Sequence, residues 1–284
     1  MPNDLMGTLD DKMAPVDMSQ RFEFGKNWQR FLHSLNEQRI SLAENSLCSM
    51  LDRQISARSF LDIGCGSGLF SLAAMRRGAE RVHSFDYDLR SVACAAELKR
   101  RFFSDASNWT IERGDILDAE YLAGLGQFDV VYSWGVLHHT GRMWQALGNV
   151  VPLVRPGGKL FIAIYNDQGF QSRLWKKVKR LYNHGRGWRF LLVPSFCSYF
   201  GLRLFAKDLL SLKDPFDRYR RTADSRGMAF FTDVLDWLGG YPFEVAKPEE
   251  IFDFFRSKGF ELEKLKTAGV NHGNNEFVFR KCAG

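Results

Sequence analysis

The stretch Phe60-Leu61-Asp62-Ile63-Gly64-Cys65-Gly66-Ser67-Gly68-Leu69-Phe70 runs from an apolar segment into three alternating glycines and then into a helical pattern. An apolar run that closes on glycines predicts a buried strand over Ser59–Ile63, and the spacing after Leu69 predicts a helix to Arg77, stopped at Gly78. Glycines in such a loop let a ligand approach the backbone, because no Cβ stands in the way. The next apolar strand, Arg81–Phe85, runs into Asp86, 22 residues beyond Gly64. A carboxylate at that place can accept two hydrogen bonds from ribose hydroxyls. Strand, glycine loop, helix and acid together predict a nucleoside site at the C-terminal edge of a parallel sheet.

The pattern extends outward from this stretch. Asp88 is an N-cap for a helix over Leu89–Arg101. Further strands are expected at Trp109–Arg113, Phe128–Ser133 and, after the turn Pro156-Gly157-Gly158, at Lys159–Tyr165, with a helix through Trp144 and Leu147 between the last two. Strands alternating with helices argue for a parallel α/β sheet covered on both faces. After Asp167 the alternation stops. Residues 168–246 are basic, aromatic and helix-like. A helix at Pro248–Lys258 and strands at Phe260–Leu265 and Glu276–Arg280 then resume it. Near the N-terminus Trp28, Phe31, Leu32, Leu35, Ile40, Leu47 and Leu51 recur at helical spacing. The expected organisation is an N-terminal helical lid (1–57), a ligand-binding core (58–167), a helical cap inserted after strand five (168–246), and a closing helix with two strands (247–284).

Composition narrows the class. The 284 residues are 45% hydrophobic and 25% charged, which excludes a disordered or collagen-like chain. No apolar run approaches the ~18–20 residues of a membrane span. The N-terminus lacks the apolar core of a signal peptide. The five cysteines include no Cys-x-x-Cys pair, so free thiols in a reducing cytoplasm are expected, with no disulfide frame and no metal site. Charge is uneven. Residues 171–230 hold fourteen Lys or Arg against four Asp in a chain whose net charge is +6, which leaves the remainder acidic. Lys176, Lys177, Lys179 and Arg180, beside Trp175 and Tyr182, form the densest group and suit an anionic partner or membrane surface.

The loop is not a dinucleotide fingerprint, because Leu69 stands where its third glycine belongs, and no Gly-Lys-Ser/Thr follows for a triphosphate. It resembles the Asp-x-Gly-x-Gly-x-Gly loop of class I S-adenosylmethionine (SAM)-dependent methyltransferases. The resemblance continues through Gly114-Asp115-Ile116, Phe128-Asp129-Val130-Val131 and Leu153–Leu160. It implies a Rossmann-like, doubly wound, mostly parallel seven-stranded sheet, SAM as methyl donor and S-adenosylhomocysteine (SAH) as product. It also implies residue roles. Gly64 and Gly66 would pass the methionine part of SAM, and Asp62 would hold its amino group. Asp86 would hold the ribose with Tyr87 against the adenine. Asp115 would accept from the adenine amine and Ile116 would pack on the ring. Ser133 and Trp134 would border the methionine tail.

Methyl transfer from a sulfonium is an in-line displacement that needs positioning, plus a base when the nucleophile is a hydroxyl. After strand four come Leu137-His138-His139, similar to a Leu-His-His in several small-molecule methyltransferases. His138, with His139 second, is the candidate base, since histidine titrates near neutrality. Asp167 after strand five is a candidate to orient a histidine or bind substrate, or else to cap the next helix. The Asn/Asp-Pro-Pro-Tyr/Phe of base-amine methyltransferases and the Pro-Cys of cytosine C5 enzymes are both missing, which disfavours nucleic acid. The expected activity is methylation, on oxygen, of a small-molecule or lipid- or sugar-linked acceptor. A tRNA-modifying enzyme and a non-catalytic SAM-binding protein are the rivals.

Overall fold

The computed structural model describes residues 25, 28, 31–32, 35–51, 55–56, 58–210, 238–269 and 273–283. Seven strands form one sheet in the order β3-β2-β1-β4-β5-β7-β6. They are β1 (Ser59–Ile63), β2 (Arg81–Asp86), β3 (Trp109–Arg113), β4 (Phe128–Trp134), β5 (Val154–Tyr165), β6 (Phe260–Lys266) and β7 (Asn274–Lys281). β1 through β5 are mutually parallel, and β7 runs antiparallel to both β5 and β6. The expected doubly wound, mostly parallel α/β sheet is therefore the observed one.

Both faces of the sheet are covered. On β1 and β5, Leu61, Ile63, Leu160 and Ile162 belong to one apolar cluster, while Phe60 and Phe161 belong to the other. Period-two alternation sends neighbouring residues to opposite faces, so a strand buried on both sides reads as an unbroken apolar run. Helices α1 (Glu37–Leu51), α2 (Leu69–Arg76) and α3 (Leu89–Phe102) cover one face. α4 (Ala119–Leu125), α5 (Met143–Val150) and α8 (Pro248–Arg256) cover the other.

Two local features depart from the sequence reading. Helix α4 carries no strong apolar stripe, because it buries only Leu122, and its start is set by the Asp118 side chain accepting from the amides of Glu120 and Tyr121. Strand β5 begins at Val154, which pairs with Phe128. The register then shifts, so Pro156-Gly157-Gly158 is an irregularity within the strand and not a turn before it.

Two helices, α6 (Phe170–His184) and α7 (Arg186–Leu210), follow β5 and pack on each other. The chain leaving the sheet and the chain returning to it are tied together. Ala246 donates to the Tyr165 carbonyl at 3.0 Å, and Asp167 donates to the Ala246 carbonyl at 3.1 Å. Of the aromatic segment Arg21–Trp28, expected by sequence to form part of a lid, only Gly25 and Trp28 are among the described residues, and of the aromatic glycine turn Asp236–Glu244, expected to approach a substrate, Asp236 and Trp237 lie outside them. No described helix is long and apolar enough to cross a membrane. All five cysteines are free, and the described residues hold no cluster of three or more metal-ligating side chains.

Candidate functional site

The glycine loop sits where β1 meets α2. Gly64 and Gly66 have φ of 70° and 55°, left-handed conformations that side chains resist. Space is short as well. A Cβ on Gly64 would lie 2.4 Å from Val136, and one on Gly66 would lie 2.9 Å from the indole of Trp28. The loop is fixed to the neighbouring strand. Gly64 donates to the Phe85 carbonyl at 2.8 Å, and Gly66 donates to Oδ2 of Asp86 at 2.9 Å.

Asp86 ends β2 half-buried. Its other oxygen accepts from the Asp88 amide at 2.8 Å, and Asp88 in turn caps α3 and accepts from the Gly25 amide. A carboxylate has about four acceptor positions, so Asp86 keeps capacity for ligand hydroxyls while two amides fix its direction. Beside it Tyr87 is exposed, with the Arg113 guanidinium 5.4 Å from its ring centre. The Gly114 amide bonds the Asp86 carbonyl, which brings the end of β3 alongside. Asp115 is partly exposed there, with Oδ1 accepting from the Leu117 amide, whereas Ile116 is buried in the core. Asp86, Tyr87 and Asp115 are thus brought to one edge, while Ile116 packs into the core.

Asp62 lies deeper. It is 2% exposed and accepts from the Ser71 hydroxyl. That hydroxyl lies 2.7 Å from Ser84 Oγ, which accepts from Trp109 Nε1 at 2.9 Å. Burial pushes the Asp62 carboxyl up to about 7, against the pull of Ser71 and with some help from the negative charge of Asp86. Ser133 is buried and donates to the Ile63 carbonyl at 3.2 Å, and Trp134 is half-buried on the α1–α3 side.

The histidines follow β4 in a 3-10 turn, Leu137–His139. His138 is fully buried, and among the described residues neither ring nitrogen has a hydrogen bond of full geometry, although the Ala163 backbone favours its charged form. Its ring centre lies 4.1 Å from that of Tyr165 and 4.5 Å from that of His139. Burial, then the charges of His139 and Lys179, hold it well below the usual histidine range. His139 Nδ1 bonds the Pro242 carbonyl at 2.6 Å. Asp167 is placed elsewhere. Its carboxylate accepts from Gly169 at the start of α6, and neither histidine is among its partners in the described residues.

Two further residues reach this corner. Glu244 donates from its amide to the His138 carbonyl at 3.0 Å, and its carboxylate accepts from the amide of Met143. Burial raises it to about 7. Lys179 is fully buried, with Nζ 4.9 Å from the Phe243 ring centre and 5.9 Å from that of Tyr165. The sequence reading grouped Lys179 with a solvent-facing basic cluster. Helical phase separates them, because Ser172, Lys179 and Tyr182 share the buried face of α6 while Lys176, Lys177 and Arg180 are exposed. A lysine inside an i, i+3, i+7 stripe was the available signal. For Glu244 the signal was the turn Asp236–Glu244, whose adjacent glycines and aromatics suggest close backbone approach to a substrate, but nothing in it singled out the carboxylate.

Comparisons with known proteins bear on the fold. Residues 61–160 match the family model described as a methyltransferase domain. A ubiquinone biosynthesis O-methyltransferase from Parvibaculum lavamentivorans is 32% identical over 48% of this chain and 54% of its own length. A tRNA U34 carboxymethyltransferase from Idiomarina loihiensis is 29% identical over 64% of this chain and 56% of its own. The chain therefore spans little more than half the length of these two relatives. Among solved structures, magnesium protoporphyrin IX methyltransferase from Synechocystis with bound SAH superposes with a TM-score of 0.52 at 14% identity, covering 90% of this chain and 93% of that one. The cyclase SpnF superposes with a TM-score of 0.56 at 13% identity, covering 95% and 99%. Likeness at that identity shows a shared fold, and it includes a protein named for a different reaction. Residues 61–160 therefore match a methyltransferase domain, and they lie on a seven-stranded sheet of order β3-β2-β1-β4-β5-β7-β6.

Proposed function

We propose that this protein transfers the methyl group of SAM to an oxygen of a small-molecule acceptor. The observation that carries the reading is the joined unit of Gly66 and Asp86, in which a left-handed glycine amide aims the carboxylate at the sheet edge. SAM supplies an electrophilic methyl on a positively charged sulfur, so this chain needs to bind, orient and exclude water. Gly64 and Gly66 leave room against the backbone that a Cβ would fill. Asp86 accepts from the ribose hydroxyls, Tyr87 and Asp115 flank the adenine, and Asp62 meets the amino group, whose positive charge favours its ionised form. Ser133 and Trp134 border the methionine tail. Trp28 covers the loop from the N-terminal side.

On the acceptor side, His138 takes the proton as the new O–C bond forms and the S–C bond breaks. Named O-methyltransferases among the relatives support oxygen as the nucleophile. The cap carries a second surface. Phe170, Leu174 and Phe190 are exposed beside the exposed cations Arg173, Lys176 and Lys177, which suits peripheral contact with an anionic membrane and a lipophilic or lipid-linked acceptor. Such a protein would work from the cytoplasm. Incubating the protein and a cell extract with isotopically labelled SAM tests the reading. Label in a small molecule or lipid supports it. Label in the RNA fraction would establish the tRNA-type alternative. No turnover of bound SAM would establish a binding protein.

A further inference from the structure

We propose that Trp109, at the start of β3, is a positioning residue for the cofactor: through the hydroxyls of Ser84 and Ser71 it directs a buried line of hydrogen bonds onto Asp62, so that this carboxylate meets the amino group of SAM as an anion. The inference rests on the reading that Asp62 holds that amino group, and it adds how the carboxylate is set for the task. The line has four members from four elements. Trp109 Nε1 donates to Ser84 Oγ at 2.9 Å, Ser84 Oγ lies 2.7 Å from Ser71 Oγ, and the Ser71 hydroxyl donates to Oδ2 of Asp62. All four residues are at most 2% exposed.

The fold brings these groups together beneath the glycine loop. Asp62 and Ser84 are register partners on β1 and β2, so they share one face of the sheet, and α2 lays Ser71 over that face. Phe60, Leu72, Val82 and Trp109 belong to the apolar cluster on this side. Small apolar residues at positions 71 and 84 would fit such a cluster with no polar group to satisfy. Buried polar groups are unfavourable unless they are paired. Here two hydroxyls and an indole N–H are kept and joined into one line that ends on the carboxylate.

Tryptophan fixes the direction of the line. Its N–H only donates, so Ser84 accepts there and its own hydrogen is left for Ser71, whose hydrogen goes to Asp62. Each bond in such a line polarises the next. The ionised carboxylate is favoured at the receiving end, which opposes the burial that raises Asp62 to about 7. An ammonium arriving with the ligand completes the ionisation. The other titratable groups around Asp62 are Asp86 from β2, Cys65 from the loop and Tyr132 from β4. Burial raises Cys65 and Tyr132 well above their ordinary values, so both stay uncharged. The charge of Asp86 opposes ionisation of Asp62, and Ser71 is the protein group that favours it.

The test measures SAH affinity of the full chain by calorimetry from pH 6 to pH 8.5, beside 5′-methylthioadenosine, which lacks the amino-acid end. Wild type should bind SAH more weakly as pH falls through about 7, while affinity for the truncated ligand stays level. Trp109→Phe keeps a ring and removes the N–H. It should move the SAH profile upward by about half to one pH unit, the worth of one hydrogen bond. The variant then binds SAH about three- to tenfold more weakly than wild type at pH 6, and within about twofold of it at pH 8.5. Ser84→Ala breaks the line at its middle and should move the profile the same way, which decides the matter if Trp109→Phe does not fold. Weakening by one factor at every pH would make Trp109 a packing residue and overturn the proposal. A level wild-type profile for SAH, or an equal fall for the truncated ligand, would overturn it too. If the truncated ligand binds too weakly to measure, the shift between wild type and variant decides. Failure of SAH to bind at any pH would overturn the methyl-transfer reading itself.

Discussion

Gly66 and Asp86 hold each other in place. The Gly66 amide donates to Oδ2 of Asp86 at 2.9 Å, so the glycine loop also fixes the direction of the carboxylate proposed to hold the ribose. Asp86→Ala therefore removes an acceptor for ribose and unties the loop. A lost charge-assisted hydrogen bond costs ~1.5–3 kcal/mol, and SAH affinity should fall about ten- to a hundredfold by calorimetry. An unchanged affinity would move the ribose site elsewhere.

Trp28 lies across the same glycine. It is half-buried, so Trp28→Ala should cost less stability than the ~3–5 kcal/mol of a fully buried aromatic. If the indole closes the loop over bound ligand, the variant should release SAH faster in stopped-flow displacement. Equal release rates would reduce Trp28 to a packing residue.

Asp62 makes stability depend on pH. The folded protein keeps its proton up to about pH 7, whereas an unfolded chain releases it near the ordinary value of 3.8. Folding thus becomes progressively less favourable between those two pH values, by ~1.4 kcal/mol per unit of difference, and the penalty is constant above them. Asp62→Asn retains an acceptor for Ser71 without the charge. Urea unfolding should show the variant gaining on wild type from pH 5 to pH 8, while its SAH affinity drops. A gain that does not vary with pH would contradict the account.

His138→Ala separates binding from chemistry. With the acceptor found by label profiling, turnover should fall ~10²–10⁴-fold, the range for loss of a general base. SAH affinity should stay near wild type. Undiminished turnover at saturating acceptor would remove His138 from the reaction.

The exposed cations of α6 can be tested apart from the buried one. Replacing Arg173, Lys176, Lys177 and Arg180 by Gln should reduce co-sedimentation with anionic vesicles and leave SAH binding intact. Wild-type binding should weaken as salt rises, since exposed charges are screened beyond ~8 Å at physiological ionic strength. Vesicle binding indifferent to both salt and substitution would leave α6 as a cover alone.

The sequence by itself determined the sheet and the edge where the glycine loop meets Asp86. Ser59–Ile63, the three glycines and Asp86 are contiguous or one strand apart, so periodicity, glycine placement and the fixed geometry of a parallel βαβ unit carry them to one edge without long-range information. Even there, short polar helix α4 escaped, because local capping by Asp118 rather than an apolar stripe defines it. Tertiary structure alone decided which residues gather around His138. His138, Tyr165, Lys179 and the pair Phe243-Glu244 come from four separate stretches, and what distinguishes them is burial and neighbouring charge. Asp167 shows the limit from the other side: of the roles open to it by sequence, only the tertiary structure reveals that its carboxylate accepts from the amide of Gly169, the residue just before α6. Local rules fix backbone direction. Which side chain is stripped of water, and beside which charge, depends on how the cap folds back through Ala246 onto the end of β5.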